Sequence, residues 1–183
     1  MPLTVSSYDY AAFTDAFKKI RAEWPDSPIR VAVFNAGDGV WKPFLDVDEA
    51  DVRKSLDSGV VGAFGFSREA ILAFKELADT EEGKKGTLIF TGATAALRGN
   101  KTTSAFAAAK FGLRALSQSL AKEFGPQGIH VAHVSVLYER PPLLRTDRFA
   151  GCHRWRHPHR SLHESSWIAA RAGQHRQGML VCL

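Results

Sequence analysis

The chain has 183 residues, 45% of them hydrophobic and 23% charged, a balance that suits an ordinary globular domain with a sizeable core. No apolar run approaches the roughly 20 residues that cross a bilayer, and Met1-Pro2-Leu3-Thr4-Val5 lacks the basic and apolar regions of a secretory leader. Two cysteines, Cys152 and Cys182, without a framework of others point to a reducing compartment, so a cytoplasmic location is expected.

Charge divides the chain. Up to Tyr138, 10 Lys and 6 Arg balance 16 acids, whereas from Glu139 onward there are 8 Arg and 3 acids. The whole net charge of +5 therefore lies in residues 139–183, which hold five of the seven His and no Lys. We read 1–138 as the folded domain and 139–183 as a basic, Arg/His-rich tail, expected to be disordered. The change in composition also fits codons read out of frame, or an unspliced intron, beyond Ser135.

In chain order, Phe13, Phe17, Ile20 and Trp24 repeat at helical spacing, which predicts an amphipathic helix from about Asp9 to just before Pro25. Residues 29–34 (Ile-Arg-Val-Ala-Val-Phe) read as a buried parallel strand that ends at Asn35-Ala36-Gly37. Acids at Asp46, Asp48, Glu49 and Asp51 suit a helix N-terminus. The helical pattern then continues through Phe74 and Leu77, with a break expected near Gly59. A turn at 83–86 leads to a strand at 87–90, a helix at 104–124 stopped by Gly125-Pro126, and a strand at 128–134. Alternating strands and helices with short connections imply a parallel sheet with helices on its faces.

The motifs on this frame resemble the short-chain dehydrogenase/reductase family. Asn35-Ala36-Gly37 follows a strand as that family's Asn-Ala-Gly does, Phe106-Ala107-Ala108-Ala109-Lys110 stands where it has Tyr-x-x-x-Lys, and LSQSLAKEFGPQG (116–128) is similar to its helix end and turn. The likeness covers roughly residues 2–134 and is closest to a fungal branch with FTGATA at the strand end and Phe in the tyrosine slot. It implies an α/β fold with a partial, doubly wound, Rossmann-like parallel sheet. It also implies NAD or NADP as cofactor, alcohol/carbonyl hydride exchange on a small-molecule substrate, a place in secondary metabolism, and dimerisation through the two long helices. By the same resemblance Asn35, Ala36, Gly37 and Lys110 lie on the cofactor side, and Lys110 is the one surviving member of the catalytic set.

Three members of that set have lost their side chains. Phe106 stands for the proton-transferring Tyr, Ala93 for the substrate-positioning Ser, and Gly59 for the Asn of the proton relay. Positioned acid–base groups typically contribute about 10²–10⁴-fold, so little or no turnover is expected. The glycine-rich diphosphate turn does not occur, and the chain starts near the end of the family's third strand. On that reading the first two strands are missing, 29–34 becomes a bare edge, and dinucleotide binding is expected to be weak or absent. Thr4 replaces an Asp that meets the adenine in many members.

Other readings stay open. Lys110 holds ribose hydroxyls, donates a proton in place of the Tyr, or is a solvated helix lysine. Thr94 and Ser104 are substitute donors, or a loop hydrogen-bonder and a helix cap. The chain is an impaired oxidoreductase, or a non-catalytic truncated product or inert dimer partner of a complete homologue. In the tail, His153, His157, His159 and His163 beside Cys152 have zinc-like spacing, but Pro158 interrupts it, and no metal site is expected. Arginines with Trp155 and Trp167 are compatible with nucleic-acid contact, though a charged tail is the commoner meaning of that composition.

Overall fold

The computed structural model describes residues 2–78, 83–136, 166–172 and 179–182. Its sheet has six strands: β1 (Pro2–Val5), β2 (Ile29–Phe34), β3 (Gly86–Ala93), β4 (Ile129–Val136), β5 (Ser166–Ala172) and β6 (Met179–Cys182), in the order β1-β5-β6-β2-β3-β4. β6, β2, β3 and β4 run parallel, with Val31 opposite Thr87 and Leu88 opposite Val131, while β5 is antiparallel to both β1 and β6. This is the expected α/β class.

β2 is not the bare edge expected from sequence. β6 pairs along it from Ile29 to Val33, with a register irregularity between Ile29 and Val31. The physical reason is the one that made the edge a liability: an apolar strand with unpaired backbone groups captures any strand in reach. Two pieces of the 139–183 segment thus form strands. The cysteine–histidine cluster at 152–163, with Trp155, lies outside the described residues.

Among the described residues three α-helices pack on the sheet, and a further one lies against the last of them. Helix α1 (Tyr10–Glu23) starts where the Asp9 carboxylate accepts the Ala12 N–H at 2.8 Å, and it buries Phe13, Phe17 and Ile20 as its periodicity predicts. Helix α2 (Glu49–Leu56) opens with a capping box in which Asp48 and Asp51 each accept the other's backbone N–H. The expected break at Gly59 is instead a π-helical stretch, Asp57–Val61, that passes without interruption into α3 (Gly62–Lys75). Ser58 is fully buried within it, and its hydroxyl donates to the Lys54 carbonyl at 2.9 Å, which fits the wider turn. Helix α4 (Ser104–Phe124) has the predicted bounds, but Thr103, not Ser104, occupies its N-cap position.

The core lies between the sheet and these helices. Phe66 of α3 is its hub, with ring centroids 5.5 Å from Phe17, 5.6 Å from Phe34 and 6.2 Å from Phe13, and Phe34 in turn meets Phe90 at 6.3 Å. Leu88, Leu113, Leu116 and Ile129 complete the same cluster. The consequence for function is rigid placement of the C-terminal ends of β2 and β3.

Candidate functional site at the ends of β2 and β3

Lys110 reaches this place from the second turn of α4. Its side chain is buried, with the residue 8% exposed, and Nζ donates to the Thr91 carbonyl of β3 at 2.9 Å. The reading of Lys110 as a solvated helix lysine is therefore overturned. Burial pushes the amine below its ordinary pKa, because a low-dielectric setting disfavours the charged form.

The turn after β2 lies against the same amine. A Cβ built on Gly37 would come to 3.4 Å from Lys110 Nζ, in van der Waals contact with the amine. The next residue anchors the turn: Asp38 donates its N–H to the Ser58 hydroxyl at 2.9 Å and pairs its carboxylate with Lys54 at 3.2 Å. Of the Asn35-Ala36-Gly37 motif, Gly37 meets Lys110, Ala36 packs against the core and Asn35 is exposed.

The three altered positions surround the lysine. The Phe106 ring centroid is 5.7 Å from Lys110 Nζ. Gly59 packs on α4 beside it, where an added Cβ would stand 3.1 Å from the Ala109 methyl. Ala93 ends β3, two residues beyond the carbonyl that Lys110 holds. Thr94 opens a short 3-10 turn next to it.

Two features were not singled out from sequence. The exposed Trp41 covers Phe106, with ring centroids 5.3 Å apart, and its loop is tied down where Lys42 N–H donates to the Thr102 carbonyl at 3.0 Å. Thr102 pays for that contact with a left-handed backbone, φ 65°, which a β-branched residue adopts at a cost of about 1–3 kcal/mol. On the other side, His133 of β4 lies over Gly92, where any Cβ would collide with the imidazole. Its alternation with Ile129 and Val131 on the core-facing side of the strand was the available signal.

Parallel strands with helices between them, and a lysine held where two strands end, define a Rossmann-like α/β domain of the dehydrogenase kind. The family described as short chain dehydrogenase matches residues 1–149, and the chain belongs to that family. L-2,3-butanediol dehydrogenase of Corynebacterium glutamicum is 36% identical over 98 residues, covering 54% of this chain and 36% of that protein. A fungal short-chain dehydrogenase/reductase, from Armillaria gallica, is 35% identical over 103 residues, covering 55% and 37%. The crystal structure of a short-chain dehydrogenase from Rhodopseudomonas palustris matches with a TM-score of 0.61 and 36% identity, over 70% of this chain and 56% of that one. The chain thus spans little more than a third of the length of these curated relatives. No described helix is long and apolar enough to cross a membrane, and no group of three or more His, Cys, Asp or Glu among the described residues is placed to hold a metal.

Proposed function

We propose that this chain is an NAD(P)-type alcohol/carbonyl oxidoreductase domain with impaired turnover. Reducing a carbonyl delivers a hydride to carbon and a proton to oxygen, so a titratable group must lie beside that oxygen. The observation that carries the reading is the ring 5.7 Å from the Lys110 amine: it belongs to Phe106, which has no proton to give.

The described residues fit a nicotinamide dinucleotide at one end. An ammonium offers three donors; the Thr91 carbonyl engages one, and two remain for ribose hydroxyls on the Gly37 side. The diphosphate end is less well served. Of the described α-helices, α1 and α2 have N-termini already capped by the carboxylates of Asp9 and Asp48, which repel an anion, α3 continues from a preceding helical turn, and α4 alone starts without a side-chain cap. Bound cofactor would supply the hydride, and Lys110 would orient its ribose. The choice of NADP, a role in secondary metabolism and a cytoplasmic location belong to the same proposal and rest on family resemblance and cysteine usage.

Titrating NADH and NADPH by fluorescence, with a carbonyl-reduction assay alongside, tests it. The expected result is no saturable binding in the micromolar range and no reduction. Micromolar binding, with reduction abolished by Lys110→Ala, would overturn the impairment and make Lys110 the proton donor.

A second reading, an inert dimer partner, has its own observation. Val61, Phe64 and Leu72 of the π-helical stretch and α3, and Phe111 of α4, are all exposed. Large apolar side chains aligned on outer helix faces are what a partner helix pair would cover.

A further inference from the structure

Lys110 has a chemical capacity that holding a ribose does not need. Lys42 and Lys54 each have a carboxylate, Asp51 at 2.6 Å and Asp38 at 3.2 Å. Among the described residues no carboxylate forms an ion pair with Lys110, whose amine donates to the Thr91 carbonyl and lies over the Phe106 ring. An ammonium buried without a carboxylate partner loses hydration and regains only part of it from the Thr91 carbonyl and the Phe106 ring, which raises the fraction present as the neutral, nucleophilic amine. The buried amine borders the exposed turn after β2: among the described residues, the atoms that a methyl group on Gly37 would meet are Lys110 Nζ and Cε.

We propose that Lys110 is a carbonyl-capture site, at which the amine condenses with a small aldehyde carrying an aromatic or apolar body. The nitrogen lone pair forms a bond to the carbonyl carbon, and the carbonyl oxygen takes up a proton to give a carbinolamine. That hydroxyl then leaves as water while the nitrogen loses its protons and C=N forms. No oxidant or reductant is consumed. Phe106, with Trp41 packed 5.3 Å from it, supplies an aromatic wall beside the amine, which sets the preference for an apolar body. The site needs no nicotinamide, so it stands or falls apart from hydride transfer.

The test uses the full chain, benzaldehyde at neutral pH, and cyanoborohydride to fix any Schiff base as a benzylamine. Mass mapping then compares all ten lysines in one sample. Lys110 is expected to be benzylated several-fold faster than the exposed Lys101 and Lys122. Gly37→Ala, which puts a methyl over the amine, is expected to slow Lys110 without changing Lys101. Benzylation of Lys110 at or below the rate of Lys101 in the unaltered chain would overturn the proposal, whatever the variant does. Failure of NADH to bind bears on the oxidoreductase reading alone.

Discussion

Two basic side chains near the site have pKa values held below their ordinary ones, and they set opposite ends of one pH profile. His133 Nε2 is buried and has no hydrogen-bond partner in the described structure. Burial first, then the cations Arg114 and Lys110, push its pKa below 6.5, while a backbone hydrogen bond pulls weakly the other way. Because the folded-state pKa is the lower one, the unfolded chain takes up a proton first as pH falls. The His133 contribution is therefore complete above pH 6.5 and is lost as pH drops toward the folded value. Melting temperature followed from pH 7.5 downward should fall less steeply for His133→Val than for the unaltered chain; parallel curves would refute this. Lys110 acts in the same sense at the alkaline end, where its burial penalty disappears as pH rises toward 10.5. Neither effect was legible from sequence. Lys110 was recognised by its place in a motif, but whether that side chain is buried or solvated depends on β3 and Gly37, residues far away along the chain. His133 lies in an alternating strand pattern that marks it as core-facing, yet a polar residue in that pattern says nothing of the Lys110 and Arg114 charges around it.

Elements with strong local patterns were legible to the residue, and those shaped by packing were not. The bounds of β2 and α4 follow from a β-branched run and from an apolar face closed by Gly125-Pro126. The π-helical turn at Asp57–Val61 has no such marker, since it follows from Ser58 hydrogen bonding to Lys54 and Asp38 and from Gly59 meeting Ala109. At this scale the most exposed test of the fold is Phe66, which joins α1, α3 and β2 through three ring contacts. Phe66→Ala leaves a cavity between layers that are tied to the sheet and cannot close. It is expected to cost about 3–5 kcal/mol in denaturant unfolding. Phe111→Ala on the exposed side of α4 should cost well under that if the chain is monomeric. Equal losses at the two positions would mean that Phe66 is not the hub.

For the whole molecule, the sheet order could not be read from sequence, because β5 and β6 come from a segment whose composition suggested no structure and yet lie between β1 and β2. Once the sheet and the inner faces of α1, α3 and α4 are accounted for, the outer surface still carries Phe64 at 46% and Phe111 at 44% exposure. Scattered apolar residues on a surface need no explanation, but these are ordered. Val61, Phe64, Arg68 and Leu72 follow one another at helical spacing, and the one charge among them is matched by Glu69 at 3.0 Å. Val60, next to Val61, packs against Gly112, next to Phe111, which draws α4 toward the same region. A two-helix face of this kind can be covered by its own copy about a twofold axis, since each patch then meets its equal. Light scattering on the full chain should give twice the 20.1 kDa chain mass, and Phe64→Glu with Phe111→Glu should return it to 20.1 kDa without lowering the melting temperature at matched concentration by more than the lost association explains. A chain that stays at 20.1 kDa through the working concentration range, and does not co-elute with a complete relative, leaves the dimer-partner reading without support.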